Sequence, residues 1–268
     1  MKNSDRAELL ERLEDYYDAV PRSAARAEDF GALTLFVRER AGMPYYARPA
    51  RKGEGEAGAA DVLRVRERQR ELGVPEAFEW IAETTPWLRA AVEAAGLEVH
   101  EHPLMVLDGA GPAADDPRVR IVDPDDPVLP SATALLHLAF GDPGTAIGAA
   151  GAGELAAKIA ELGDGPAEET GRRMRAGVTV LAAATENGVA LCSGQHQPVG
   201  TVSEIVGVGT LPSRRREGMA YAVTAVLVAD ARARGVETIF LSAGDADVAR
   251  MYGRLGFRTI GTALIAES

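Results

Sequence analysis

A run of three arginines before a glycine and a helix is the feature of this sequence that most clearly points to ligand chemistry. Arg214, Arg215 and Arg216 follow a β-rich run that ends at Leu211-Pro212, and Gly218 precedes an amphipathic stretch. The first turn of a helix has unpaired backbone amides, and the helix dipole favours negative charge there. Gly218 has no side chain that would hold phosphates away from the backbone. The stretch is predicted to bind a phosphate-bearing ligand, and a solvated basic turn is the alternative.

The segments before the arginine turn have recognisable strand and helix patterns. The predicted strands are 118–123, 178–185, 188–196 and 201–211, and the predicted helices are 131–140 and 154–162, with loops at 141–153 and 163–171. Ser131 is the expected N-cap of the first helix. Asn187-Gly188 predicts a tight hairpin turn between the second and third strands.

The segments after the turn continue the alternation. The helix that follows Gly218 is predicted to bury Met219, Val223, Val226 and Leu227, at i, i+4, i+7 and i+8. A strand at 236–244, a helix at 245–256 and a last strand from residue 257 complete the chain. The predicted order is β-α-α-β-β-β-α-β-α-β.

The first half of the chain resembles the tail of this pattern. Residues 77–107 match the order and spacing of 238–266, and the helix 59–73 ends at Gly73-Val74 as the later one ends at Gly235-Val236. A duplicated βαβ tail is the predicted explanation, with chance similarity between two βαβ units as the alternative.

The overall composition narrows the class of protein. The chain has 268 residues, a net charge of −11, one cysteine and four histidines. This acidity argues against general nucleic-acid or anionic-membrane binding. One cysteine excludes an internal disulfide, and scattered histidines predict no metal site. Without a run of 18 apolar residues, we expect a cytoplasmic protein with no membrane span.

Two motifs together resemble the GNAT superfamily of acyl-CoA-dependent N-acetyltransferases. The family's Arg/Gln-x-x-Gly-x-Gly/Ala signature is matched by Arg215, Gly218 and Ala220, and its tyrosine four residues before Gly-Phe by Tyr252 and Gly256-Phe257. The resemblance covers roughly residues 118–268. It implies a mixed α/β (α+β) GNAT fold and direct transfer of an acetyl group from acetyl-CoA to a primary amine in a ternary complex.

The resemblance also implies a set of cofactor-binding residues. They are Gly209, Thr210 and Leu211, whose backbone would pair with pantetheine, the loop residues Arg215, Arg216, Glu217, Gly218, Met219 and Ala220, and Asp245 and Tyr252. Two of these depart from the family pattern. Glu217 lies inside the phosphate loop, and Asp245 stands where an asparagine is frequent, so that helix capping is its expected role.

The resemblance assigns two catalytic roles. Tyr252 matches the general acid that protonates the departing sulfur, with a packed tyrosine as the alternative. Glu204 lies where family members carry a general base, and it would share one strand face with Val206 and Val208. A solvated glutamate is its alternative, and His196 is a second candidate base.

Glycines inside the arginine-turn strand and the single cysteine have separate interpretations. Gly207 and Gly209 predict a bulge or a close approach by the ligand, with close helix packing as the alternative. Cys192 is expected to be a small buried hydrophobic residue.

The resemblance suggests two domains. Residues 1–108 are predicted to be a truncated GNAT-like domain, 109–117 a linker and 118–268 the acetyltransferase domain. In the first domain Glu54 and Glu56 occupy the equivalent loop, so one cofactor site per chain is predicted. The expected partner is a small-molecule amine rather than a protein, nucleic acid or membrane, and the chain is expected to be a monomer or homodimer. A non-catalytic acyl-CoA-binding sensor is the alternative function.

Overall fold

The computed structural model describes residues 3–39, 42–53, 55–109 and 111–268. The chain divides into two units, one of Met1–Leu104 with Thr259–Ser268 and the other of Met105–Arg258. We call them the N-terminal and the C-terminal unit.

The N-terminal unit is a sheet covered by helices. Its elements are α1 (Asn3–Arg22), β1 (Ala25–Asp29), β2 (Leu33–Arg38), β3 (Ala47–Pro49), α2 (Ala59–Glu71), β4 (Ala77–Ile81), α3 (Leu88–Ala94), β5 (Glu98–Leu107) and, from the end of the chain, β11 (Phe257–Glu267). Strands pair in the order β1-β2-β3-β4-β11, antiparallel except for β3 with β4. Phe78 and Trp80 of β4 are fully buried in its core.

The last strand does not follow the predicted domain limits. Ala263–Glu267 of β11 pairs antiparallel with Ala77–Ile81 of β4, and Leu264 and Ala266 are buried in the core of the N-terminal unit. Residues 259–268 therefore group with the first unit, although the prediction assigned them to the second domain. A boundary prediction from sequence follows chain order, whereas strand pairing depends on distant residues.

The C-terminal unit contains the elements around the arginine turn. They are β6 (Val119–Ile121), α4 (Leu129–Gly141), α5 (Ala152–Leu162), α6 (Gly165–Arg175), β7 (Val180–Glu186), β8 (Val189–Val199), β9 (Val202–Thr210), α7 (Met219–Ala233), β10 (Thr238–Ser242) and α8 (Ala246–Arg254). The strand order is β10-β9-β8-β7-β6, and β10 runs parallel to β9 while the other pairs are antiparallel.

Several predicted features of this unit are confirmed. Asn187 and Gly188 turn the β7–β8 hairpin with φ values of 52° and 77°. Met219, Val223 and Leu227 are buried along α7, whereas Val226 is only half-buried.

Two local predictions are wrong. The polar stretch 163–171 is not a loop, because α6 begins at Gly165 with a proline in its first turn and buries Ala167 and Gly171. Ser131 is not an N-cap, because α4 begins at Leu129. Its hydroxyl instead lies inside the helix, where it donates to the Val128 carbonyl at 2.8 Å and accepts from the Ala190 amide at 3.0 Å.

A buried histidine joins two strands to α7. The ring nitrogens of His196 lie 2.9 Å from the Ser203 hydroxyl and 2.9 Å from the Asp230 carboxylate, and Asp230 also pairs with Arg234. His196 and Ser203 are fully buried. The imidazole is therefore part of the core, with both nitrogens engaged, rather than a base open to a substrate.

This arrangement predicts a pH-dependent stability. Burial holds the pKa of His196 below its usual 6.5, and Asp230 only partly offsets this. The unfolded chain thus takes up a proton at higher pH than the folded chain, so stability falls as the pH drops below about 6.5 toward the folded pKa. We expect the stability advantage of the wild type over His196→Gln to shrink between pH 7.5 and 5, by about 1.4 kcal/mol per unit of pKa difference.

Urea unfolding across that pH range measures the effect. The exposed His137 on α4 provides the matched control, since His137→Gln should follow the wild-type curve. Parallel curves for wild type and His196→Gln would contradict the prediction.

Candidate active site

The strands β9 and β10 separate partway along their length. Their parallel register covers Val202–Glu204 and Thr238–Phe240, whereas β9 continues to Thr210. Within the described chain, residues 205–210 have no register partner in β10, so this edge of β9 faces an opening between the strands. Backbone amides and carbonyls at such an edge are available to an extended ligand. The resemblance predicts that pantetheine pairs with this part of the strand, near Gly209 and Thr210.

A bulge at Gly207 shapes the exposed edge. Gly207 has φ of 60°, in the region that glycine adopts without strain. The register with β8 moves from Gln195–Val206 to Ser193–Gly209, so three steps on β9 oppose two on β8. The extra residue bends the strand and explains one of the two glycines.

The bulge also changes which side chains share a face. Ser203 belongs to the hydrogen-bonded chain that reaches α7, so Glu204 and Val206 face the opposite side. A Cβ on Gly194 would lie 2.9 Å from Val208 and 3.2 Å from side chains of α7, which places Val208 on the α7 face. The prediction that Glu204, Val206 and Val208 share one face is therefore wrong, because it assumed an unbroken alternation.

Gly209 is required by helix packing. A Cβ at this position would come within 2.9 Å of both Leu136 and Ala139 of α4. The backbone of β9 thus lies directly against α4, as the packing alternative anticipated. This close contact fixes the position of the β9 backbone at Gly209.

The arginine turn has the geometry of an anion receptor. After a short 3₁₀ turn at Pro212–Arg214, Arg216 and Gly218 take positive φ values of 67° and 80°, and Gly218 is the N-cap of α7. Alternating backbone conformations of this kind turn successive amides toward a common point. A Cβ on Gly218 would meet no atom within 4 Å, so the side-chain position at the N-cap is open.

The predicted loop residues beyond the glycine lie in the first turn of α7. Met219 is buried and Ala220 half-buried, and Leu211 is buried at the start of the turn. The N-terminus of α7 has no side-chain cap among the described residues. Its first amides therefore remain available to an anion.

The arginine side chains bind the protein itself. Arg215 is only 8% exposed, and its guanidinium donates to the carbonyls of Ala139 and Ala146 at 3.0 Å and of Asp142 at 2.5 Å. Arg216 donates to the Thr145 carbonyl at 3.2 Å. These contacts, with backbone bonds to residues 148 and 150, hold the loop 141–151 along the turn. Side-chain contact with phosphate stays a prediction for these residues.

Glu217 is paired with cations of its own surroundings. It accepts from Arg214 at 2.6 Å and lies 3.6 Å from Arg118. The hydrogen bond from Arg214 lowers the pKa of Glu217, so the carboxylate stays charged, and that charge is balanced locally. Arg214 is also bound to Glu186 at 3.0 Å. Although Glu217 departs from the family pattern, its charge is balanced by these arginines, and the loop amides remain able to bind an anion.

The buried position of Arg215 predicts a large effect on stability. Arg215→Met leaves three carbonyls without their donor, and we expect a loss of at least about 2 kcal/mol in the free energy of unfolding. Arg214→Met is the matched control, because its ion pairs are solvent-exposed and should contribute under about 1 kcal/mol. Arg215→Lys should recover little, since an ammonium cannot reproduce the planar fork. Equal losses for both Met variants in urea unfolding would refute this role.

Tyr252 lies on α8 and is 7% exposed. Its ring meets Phe257 edge-on, with centroids 5.8 Å apart. Burial raises the pKa of Tyr252, so the phenol keeps its proton at neutral pH. A general acid must be protonated in this way.

Cys192 is fully buried, as expected. The Thr210 hydroxyl lies 3.3 Å from its sulfur, and burial raises the pKa of the thiol to about 12. The thiol therefore stays protonated and is not a nucleophile at neutral pH.

The other two predicted site residues have distinct surroundings. Asp245 is the N-cap of α8 and accepts from the Val248 amide at 2.8 Å, which confirms its expected capping role. Glu204 is half-buried at the last register position that β9 shares with β10, where the opening begins.

The loop before α2, which corresponds in the N-terminal unit to the arginine turn before α7, has a different backbone conformation and a bound carboxylate. Gly58 begins α2 with an ordinary negative φ of −94°, and its amide donates to the Asp61 carboxylate at 2.8 Å. An acidic side chain thus occupies this helix N-terminus. Glu56 is exposed, and Glu54 lies outside the described residues.

No cluster of His, Cys, Asp and Glu side chains is arranged to hold a metal ion in the described residues. Among the described helices, none is both long and apolar enough to cross a membrane.

Comparisons with known proteins agree with this geometry. Residues 155–257 match the model of the Acetyltransferase (GNAT) family. Among curated proteins, no sequence matches this chain.

Solved structures share the fold over nearly the whole chain. A GCN5-related N-acetyltransferase from Kribbella flavida has a TM-score of 0.69 at 20% identity, covering 97% of this chain and 95% of that one. A GCN5-related N-acetyltransferase-like protein from Streptococcus suis has a TM-score of 0.53 at 13% identity, covering 97% and 98%. A tandem GNAT protein from the clavulanic acid biosynthesis pathway has a TM-score of 0.52 at 13% identity, covering 88% and 78%. At these identities the likeness establishes a GNAT fold.

Proposed function

We propose that this chain, whose residues 155–257 match the model of the Acetyltransferase (GNAT) family, transfers an acetyl group from acetyl-CoA to a primary amine. The observation that carries the proposal is the opening beside β9, a strand that continues through the arginine turn to the N-terminus of α7 at Gly218. An extended arm with a pyrophosphate at one end and a thioester at the other fits this combination of strand edge and anion receptor.

Each part of the donor has a counterpart in the chain. The pantetheine arm would pair with the free edge of β9 near Gly209, Thr210 and Leu211. The pyrophosphate would bind the amides from Arg216 to Ala220, where the helix dipole of α7 adds to the attraction. The family match supports acyl transfer in general, and acetyl is the acyl group that we propose.

The reaction we propose is direct attack of a neutral amine on the thioester carbonyl. The nitrogen forms the new C–N bond and loses a proton, and the C–S bond breaks. A backbone amide of β9 near Gly209 stabilises the oxyanion, Glu204 accepts the proton from the amine, and Tyr252 donates one to the departing sulfur.

The surroundings of the nearby nucleophiles favour direct transfer over an acyl-enzyme. The Cys192 thiol is buried and protonated. Ser203 is fully buried and bound to His196, so a thioester has no path to its hydroxyl. Neither residue is suited to covalent catalysis.

The alternative function, a non-catalytic acyl-CoA sensor, is suggested by two acidic residues, Glu217 and Asp245, that depart from the family pattern. Glu217 is paired with Arg214 and Arg118, and Asp245 caps α8. Since both carboxylates have structural roles, neither argues against catalysis.

Tyr252→Phe tests the general acid. We expect kcat to fall by about 100-fold or more, because the thiolate would leave unprotonated, while the affinity for acetyl-CoA changes by less than about threefold. Release of free CoA over a panel of primary amines measures the rate, and calorimetry measures binding. Tyr45→Phe, in the N-terminal unit, is the matched control and should leave both values unchanged.

The same assay separates the competing functions. Acetyl-CoA binding without CoA release for any amine in the wild type would favour the sensor. An unchanged kcat in Tyr252→Phe would reject this tyrosine as the acid, and absence of acetyl-CoA binding would contradict the proposed function altogether.

Glu204→Gln tests the general base. Glutamine keeps the size of the side chain but cannot accept a proton, so we expect kcat/KM to fall by about 100-fold near neutral pH with little change in acetyl-CoA affinity. Glu237→Gln, at an exposed position before β10, is the matched control. Full activity in Glu204→Gln would assign proton removal to another group or to water.

A further inference from the structure

A cavity in the N-terminal unit is lined by side chains that the proposed reaction does not use. Its volume is about 190 Å³. Glu11 and Glu14 of α1 form one wall, Pro49–Arg51 at the end of β3 a second, and Thr84, Thr85 and Trp87 a third. A cavity of about 150 Å³ is enough to hold a six-membered ring, so the space suits a ligand of several heavy atoms.

The wall of this cavity contains a buried carboxylate. Glu14 is 4% exposed and accepts a hydrogen bond from the Thr84 hydroxyl at 2.5 Å. Arg48 forms a buried ion pair with Glu79, and its guanidinium lies 3.9 Å from the centre of the Tyr17 ring. Arg48, whose charge also acts on Glu14, is therefore already paired with another carboxylate.

At the rim of the cavity a second guanidinium, that of Arg51, is also bound by carboxylates. Arg51 donates to Asp15 at 2.7 Å and to Glu11 at 3.1 Å. In and around the cavity, the two guanidinium groups of Arg48 and Arg51 are thus set against four carboxylates: those of Glu11, Asp15 and Glu79 are ion-paired with them, and the charge of both arginines acts on Glu14. The cluster thus has an excess of negative charge, part of it buried.

Buried negative charge of this kind requires compensation. A carboxylate removed from water without a matching cation is costly, and proton uptake is one way to neutralise it. Burial raises the pKa of Glu14, against the opposing effects of Thr84, Arg48 and Arg51. A cation from solution that entered the cavity would offset the charge instead.

We propose that this cavity binds a small primary ammonium compound, with its –NH₃⁺ group on Glu14 and Thr84 and its body beside Trp87. An ammonium group has three donors, which match the Glu14 carboxylate and the Thr84 hydroxyl. The indole of Trp87 adds an aromatic surface that attracts cations. The acidic lining disfavours phosphates, so this is not a second site for the acyl donor.

The site is independent of the proposed acetyl transfer. Its lining residues all belong to the N-terminal unit, whereas Glu204, Tyr252 and the loop at Gly218 belong to the C-terminal unit. Failure of one proposal therefore leaves the other standing.

Calorimetric titration of the full chain with ethanolamine, in the absence of acetyl-CoA, tests the proposal. We expect saturable binding to the wild type and at least tenfold weaker binding to Glu14→Gln, which keeps the size of the side chain and an acceptor for Thr84. Ethylene glycol, the neutral analogue of the probe, should not bind. Glu8→Gln, an exposed change on the same helix, should bind ethanolamine like the wild type.

Further variants locate the binding. Glu204→Gln should retain ethanolamine binding, and loss there with retention in Glu14→Gln would place the amine in the active site and overturn the proposal. Ala50→Leu keeps every charge but fills the cavity, so it should also abolish binding, and it replaces Glu14→Gln as the decisive variant if the latter does not fold. Wild-type affinity in a folded Ala50→Leu or Glu14→Gln protein, equal binding of ethylene glycol, or no binding to the wild type would each reject the site.

Discussion

The end of the β9–β10 ladder at Glu204 is the constraint on which the candidate site depends. Up to this point β9 is bonded on both sides, and beyond it the strand keeps only its β8 partner. A strand edge inside a sheet is normally costly, because its amides and carbonyls need partners. Here the bulge at Gly207 bends the strand and the contact of Gly209 with α4 fixes it, so the edge persists as a place for a ligand. The proposed roles of Glu204 and of the β9 amides both depend on this one divergence.

The arginine turn gains its function from the backbone, which its side chains hold in place. Arg216 adopts a left-handed conformation that costs a residue with a side chain about 1 kcal/mol or more. Its bond to Thr145 and the buried guanidinium of Arg215 tie the turn to the loop 141–151, and these contacts offset the strain. The loop is rich in glycine because its backbone lies close to the turn: a Cβ on Gly148 would come within 2.8 Å of Pro212. Arg215 and Arg216, which the sequence predicts to contact phosphate, thus also bind the loop 141–151 to the turn.

Local signals made part of this structure predictable from the sequence. The Asn187-Gly188 hairpin, the strand that enters the arginine turn and the helix after Gly218 each depend on neighbouring residues, so pattern alone predicted them. The sequence missed α6 because its helical face is polar and begins with Gly165-Pro166, a pair typical of loops. It also misplaced Val208, since one residue with positive φ reverses the alternation, and it could not show that β11 pairs with β4. The protein partners of Arg215 lie about 70 residues away along the chain, and no local pattern reveals them.

The two units place opposite electrostatics at equivalent points of the chain, where a strand leads through a loop into a helix. At α7 the first turn has no acidic residue, two positive φ values turn the amides outward, and the arginines are held behind them. At α2 Asp61 binds the amide of the N-cap, and Arg51 is bound by acidic residues of α1. An anion that is attracted to the first site would meet negative charge at the second. Helix geometry offers an anion site at both points, and the nearby carboxylates decide whether it stays open.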